Sequence, residues 1–449
     1  MTETVKNRGW TVTFAGLGIN LALGILYAWS IFKAAIESSI KAGGSGAFHW
    51  DLAKVNDPYS VCCLVFAFAM ILAGKCQDKF GPRATAFTGG LLVGLGLIWI
   101  SQSTSYISWV LGFGVLVGAG MGFGYSASTP PGLKWFPSSK TGVIAGLIVA
   151  GFGLAPVYIA PLSGYLIKAF GVNQAMLVYG ISFVGVVCGL SLLLKNPPEG
   201  YVPEETSKIT LKKKAVLNDV NWKDAIKTFD FWKLWVIFFV GSGAGLMVIS
   251  SVAGLAKKSM GEYAFIAVAI MAIGNAGGRV VTGILSDKFG RYQTIMAVHI
   301  FQALLMLASI PLIGSQNTGA LAIVLLATLI GFNYGANLAL FPAITKDLWG
   351  IKAYGVNYGI LFTSWGVGGF VLSKVSQMLN ATTGSMTSSF AIATILLSAS
   401  GMLALTLGTK VEEAPEGAIF HPSLGLTMAD GGEKIKPEEI TIAEKRWNL

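Results

Sequence analysis

Charge is scarce in this chain. Asp, Glu, Lys and Arg make up 12% of its 449 residues, roughly half the share found in a soluble domain. Together with 53% hydrophobic residues and a mean hydropathy of +0.65, that shortage excludes an ordinary water-soluble globule and points to an integral membrane protein. Histidine and cysteine are scarcer still, at three and four. Cys62, Cys63, Cys76 and Cys188 have neither metal-ligand nor redox spacing and read as buried thiols. No paired His, Cys or acidic side chains fall at membrane depth, so neither an intramembrane enzyme nor a bound metal or cofactor is expected. A secretory leader is missing too: the first apolar run starts near Trp10, is too long for a signal core and lacks a small-residue cleavage site. The net charge of +10 could suggest nucleic acid, but its distribution follows membrane topology, and no nucleic-acid partner is expected.

What is present is apolar length. Runs fall at roughly 10–32, 58–74, 84–103, 107–127, 141–167, 172–194, 232–256, 262–285, 294–314, 318–341, 355–378 and 386–409, each near the ~20 residues that cross the hydrocarbon at 1.5 Å apiece. A polar segment, 195–230, separates the sixth run from the seventh and holds Pro197, Pro198, Pro203 and the run Lys212, Lys213, Lys214. The expected fold is all-α: twelve transmembrane helices in two pseudo-symmetric six-helix bundles, 1–194 and 231–409, joined by that linker and followed by a polar, partly disordered tail, 410–449. The 57 glycines would weaken soluble helices but permit close crossings in lipid. Gly114, Gly118 and Gly122 in the fourth run, and Gly355 and Gly359 in the eleventh, have that spacing.

The loops set the orientation. Lys33, Lys41, Lys54, Lys168, Lys257, Lys258 and Lys374 fall on one side and Arg279 inside a span. The remaining 24 of the 32 basic residues fall on the other side. The positive-inside rule then puts both termini in the cytoplasm, in a plasma or inner membrane. The outer loop 33–57 is amphipathic in part and reads as a cap.

Arg279 is the odd residue. It lies eight residues, about 12 Å of helix, before Asp287 and so well inside the bilayer, where an unpaired arginine costs roughly 3 kcal/mol or more. Its planar fork suits a carboxylate and stays charged when buried; a structural arginine bound to backbone carbonyls is the alternative. Asn275, one turn earlier, shares its face. Tyr125 and Tyr334 bring hydroxyls to mid-membrane depth and are expected on either side of a cavity, with Tyr27 as a further member. Phe332, Phe341, Phe362 and Trp365 would supply apolar walls. His299 is the one histidine within a span. Glu262 lies too far along its helix to pair with Arg279, and no carboxylate lies deep in any span.

The two halves repeat. Gly74 to Gly81 and Gly283 to Gly290 both read G-x-x-x-D-K-F-G, 209 residues apart. A second echo pairs Thr141-Gly142-Val143…Gly146 with Tyr354-Gly355-Val356…Gly359, 213 apart. These loops, on twelve helices split six and six, resemble those of the major facilitator superfamily. The resemblance implies that Asp78 with Arg83, and Asp287 with Arg291, are conformational-switch residues: in that family the aspartate caps a helix, pairs with basic groups and holds the outward-open state.

Within the superfamily the chain is similar to the oxalate:formate antiporter and monocarboxylate transporter branch. The matching pieces are Tyr27-Ala28-Trp29-Ser30, Gly124-Tyr125, Trp135-Phe136-Pro137, Arg279 with its Ser286-Asp287-Lys288 loop, Ala339-Leu340-Phe341-Pro342 and Asn357-Tyr358-Gly359. The resemblance makes Arg279 the residue that binds the substrate carboxylate. Where the oxalate antiporter carries a second cation this chain has Trp365, which favours a monocarboxylate over a dianion. Where proton-coupled relatives place an aspartate and a lysine it has Asn275 and Ile31. The function expected is secondary transport of a small monocarboxylate such as lactate or pyruvate, with a proton as coupling ion, by a monomer in the lipid bilayer. Carboxylate exchange is the alternative and a membrane sensor a remote one.

Overall fold

The computed structural model describes residues 7–44, 46–198, 200–201, 203, 219–260, 264–314, 319–383, 386–407, 418–421 and 425–428. Glu262, the lysine run 212–214 and most of the tail lie outside them. Among the described residues nine helical stretches are long and apolar enough to cross a membrane. Two of these, Asp57–Ser101 and Thr141–Ser191, contain 45 and 51 residues. At 1.5 Å per residue each would run to about 70 Å, more than twice the hydrocarbon thickness, if it were straight. Neither is straight. Gly81 and Gly171 both take φ of 81°, a conformation open to glycine and closed to residues with a Cβ. Each stretch is therefore a pair: α2 and α3 about Gly81, α5 and α6 about Gly171. Pro82 opens α3, where its missing N–H removes nothing.

The other seven are α1 (Gly9–Ala42), α4 (Tyr106–Trp135), α7 (Phe229–Met260), α8 (Ala264–Phe289), α9 (Arg291–Gly314), α10 (Ala320–Trp349) and α12 (Thr387–Ala404). A further helix, α11 (Tyr354–Thr383), carries Asn357, Thr363, Ser364 and Ser373 along its length; with it and the four helices of the split stretches, the described residues hold twelve. Leu72, Tyr165, Ile181 and Ile395 expose more than 60% of their surface, which only a lipid solvent tolerates in such numbers.

The helices outrun their apolar cores. α1 continues to Ala42, so the first part of the expected outer loop is helix. Beyond it Phe48 and Trp50 pack edge-on to Trp109, with centroids 5.5 and 5.7 Å away. α1 is itself interrupted by a 3-10 segment, Gly24–Ala28, and α4 by a π-helical segment, Val110–Val117. The predicted glycine crossings are present. A Cβ at Gly114, Gly118 or Gly122 would come within 2.9 Å of α2.

Two helix pairs bring the first six helices against the last six. In α2·α11 a side chain at Gly74 would collide with the Gly355 backbone. In α5·α8 one at Gly142 would collide with Gly283. Both contacts lie at the face that carries Asp78 and Asp287, called here the aspartate face. The tail forms a separate unit, 408–449. In it β1 (Ala418–His421) and β2 (Gly425–Met428) pair antiparallel, Ala418 with Met428; the polar composition did not suggest a hairpin.

Candidate anion-binding site

Arg279 sits at mid-helix in α8 and has no exposed surface. The one-turn spacing to Asn275 brings the two together: Arg279 Nε donates to Asn275 Oδ1 at 2.9 Å. Nη1 donates to the Val149 carbonyl of α5. That contact is available because α5 presents glycines to α8. A Cβ at Gly146 would strike the Arg279 backbone, and one at Gly153 would come within 3.1 Å of Nε. Nη2 has no partner, and among the described residues no carboxylate pairs with the guanidinium. The backbone-bound alternative is thus realised at one nitrogen only. A buried cation left in this state is unfavourable by several kcal/mol.

Aromatic rings close around it. Tyr27 and Tyr334 share a hydrogen bond of 2.6 Å across the seam between the halves. Trp365 Nε1 donates to the Tyr334 hydroxyl at 2.9 Å, so Trp365 orders a phenol as well as walling the site. Phe362 stacks on Trp365 at 5.0 Å. Tyr125 is buried, its hydroxyl facing that of Tyr358. The Arg279 charge reaches the hydroxyls of Tyr27, Tyr125, Tyr334 and Tyr358. Arg279, Asn275, Tyr27, Tyr125 and Tyr334 therefore lie together, drawn from α1, α4, α8 and α10.

Three members escaped the sequence. Phe66 of α2 lies 5.3 Å from Trp365 and 5.6 Å from Tyr125. Phe152 of α5 lies 5.0 Å from Tyr27. Tyr358 of α11 is buried with its hydroxyl facing that of Tyr125; its place in Asn357-Tyr358-Gly359 was the available signal. Phe341 turns away and stacks on Phe238 at 4.0 Å. His299 is taken up between Asn337 at 2.8 Å and Ser400 at 2.6 Å, bracing α9 to α10 and α12.

The repeated motifs prove to be partners of each other. Asp287 accepts from the N–H groups of Gly142 and Val143, both at 2.9 Å, and so caps the positive end of α5. Asp78 accepts from Gly355 and Val356, both at 3.3 Å, and caps α11. Each loop of one half thus holds the echo sequence of the other. Arg291 pairs with Asp287 at 2.6 Å and with Asp347 at 2.7 Å. Arg83 does not reach Asp78; its Nε donates to the Leu194 carbonyl at 2.9 Å. A further strut went unforeseen: Lys346 of α10, buried, donates to Thr141 Oγ1 across the seam at 2.8 Å.

This duplicated arrangement has a counterpart in known proteins. A sequence profile described as Major Facilitator Superfamily matches residues 9–373. The chain belongs to that superfamily. It is 28% identical over 369 residues to the uncharacterized MFS-type transporter YhjX of Escherichia coli (strain K12), covering 80% of this chain and 85% of that one. It is 27% identical over 368 residues to the oxalate:formate antiporter of Oxalobacter formigenes, covering 81% and 82%. To monocarboxylate transporter 11 of Homo sapiens it is 24% identical over 400 residues, covering 87% and 80%. The crystal structure of the superfamily transporter FucP in its outward conformation aligns with a TM-score of 0.62 at 15% identity, over 88% of this chain and 99% of that one; it shares the fold. These superfamily relatives are transporters, not enzymes.

Proposed function

We propose that the chain is a secondary transporter of a small monocarboxylate, of lactate or pyruvate type, working by alternating access, with the carboxylate bound to Arg279. One observation carries this reading: a fully buried guanidinium whose Nη2 makes no hydrogen bond, at the seam between the halves, with no carboxylate paired to it among the described residues. An arriving carboxylate takes Nη2 and displaces the Val149 carbonyl at Nη1, which gives the two parallel bonds this pair favours. It also neutralises the charge, so the occluded state is reached more readily with substrate than without. The names of the relatives, an oxalate:formate antiporter and a monocarboxylate transporter, point to the same class of cargo. Trp365, bonded to Tyr334, offers a dianion no second charge. In this reading the aspartate face is cytoplasmic, as are both termini, and the chain works as a monomer in an inner or plasma membrane with a proton as coupling ion.

The test is uptake of labelled lactate into proteoliposomes. Arg279→Ala is expected to reduce it a hundredfold or more, and Arg279→Lys to leave a few per cent, since a lysine keeps the charge and loses the fork. Uptake of oxalate equal to that of lactate would overturn the assignment to monocarboxylates. Uptake indifferent to an inward proton gradient, with counterflow intact, would replace symport by exchange.

A further inference from the structure

α2 and α11 touch at one end and part at the other. Near the aspartate face the contact is backbone to backbone, Gly74 on Gly355 and Met70 on Gly359. At mid-depth Gly366 still abuts Ala67. Toward the opposite face the pair diverges and, with Leu246 of α7, walls a cleft lined by Asn56, Tyr59, Ser60, Cys63, Ser373 and Lys374. Below its open mouth the cleft has about 30 Å³ of internal volume, room for one water molecule. Cys63 lies deep in it, 5% exposed. One turn further along α2 comes Phe66, whose ring meets Trp365 and Tyr125 over Arg279.

Lys374 stands at the mouth. It is exposed, and among the described residues it makes no ion pair. The nearest acid in sequence to the α2 wall, Asp57, is engaged elsewhere: its carboxylate accepts from the Tyr106 hydroxyl of α4 at 2.8 Å. An unpaired cation beside a narrow cleft with low-dielectric walls raises the local concentration of anions. A lysine ammonium is also a strongly hydrated point charge that attracts without the two-point grip of arginine. It suits collection and release more than retention.

We propose that this cleft is the entrance from the face opposite the aspartates, and that Lys374 makes it selective for small anions. The cargo is a carboxylate only if the function proposed above is right; the charge selectivity of the cleft does not depend on it. Cys63 reports on that selectivity directly. The full chain carrying Cys62→Ala, Cys76→Ala and Cys188→Ala is reconstituted, and Cys63 is labelled with sulfonatoethyl and with trimethylammonioethyl methanethiosulfonate. Each rate is divided by the same reagent's rate on a free thiol. The anionic reagent is expected to be favoured about three- to tenfold at low salt, with the preference fading at 1 M salt, where the screening length falls to about 3 Å. Lys374→Gln should remove the preference and Lys374→Glu reverse it. The same ratio in all three chains, or no labelling of Cys63 by either reagent, overturns the proposal. Arg279→Ala should abolish lactate uptake and leave the ratio unchanged. If lactate is not carried while the ratio still follows residue 374, the substrate assignment fails and the entrance stands.

Discussion

The loops around Asp78 and Asp287 share one motif and close one face, yet they hold it unequally. Asp287 grips both N–H groups of α5 at 2.9 Å and is tied through Arg291 to Asp347. Asp78 stands off its two N–H groups at 3.3 Å, without an arginine. The cause is one residue. Gly290 is followed directly by Arg291, four places after Asp287 and on its side of the turn; Pro82 intervenes after Gly81 and puts Arg83 five places after Asp78, facing another way. The second difference lies across the loop. By the 213-residue offset of the echo, Lys134 occupies the place of Asp347, so the first half has a cation there. That cation lies within electrostatic reach of Asp78. A duplicated loop has become one firm clasp and one loose one, and release of this face is expected to start at the α2·α11 seam.

Spin labels at Lys140 and Lys352, both exposed, read the fraction of molecules open at this face. Asp287→Asn should raise that fraction the most, roughly tenfold or more, since hydrogen bonds to a charged group are worth about 1.5–3 kcal/mol. Asp78→Asn should raise it about threefold, its longer bonds being worth around 0.7 kcal/mol. Equal effects would erase the distinction between the clasps. Exchanging the order of Pro82 and Arg83 (Pro82→Arg with Arg83→Pro) restores the four-residue spacing and should lower the open fraction about twofold, the worth of a helical ion pair. Asp347→Asn should have the smallest effect, twofold or less, because that carboxylate is 37% exposed and such pairs contribute about 0–1 kcal/mol.

Hydropathy and repetition made the helices, the two sets of six and the glycine crossings legible, because each depends on residues close in sequence. The Arg279–Asn275 pair was legible for the same reason, being one helical turn. Phe66 and Phe152 were not. As residues they cannot be told from Phe68 and Phe170, which are 51% and 59% exposed to lipid; only the packing of distant helices decides which phenylalanine faces the seam. The helical continuation from Lys33 to Ala42 was missed because apolar content, used to mark the spans, ends before the helix does. Arg83 was assigned by its motif to a partner that the intervening proline denies it.

The stretch joining the halves is fastened at both ends. On one side Trp135 donates to the Lys195 carbonyl at 2.7 Å and its ring meets Tyr201 at 5.0 Å. On the other, Asp219 caps Ile351 and Lys352, both at 3.1 Å. Between these anchors run the 17 residues 202–218, a contour of about 60 Å at full extension. Chain length alone therefore sets no bound on rocking of the halves, and severing the chain near Lys213 should leave a transporter that reassembles from two coexpressed pieces.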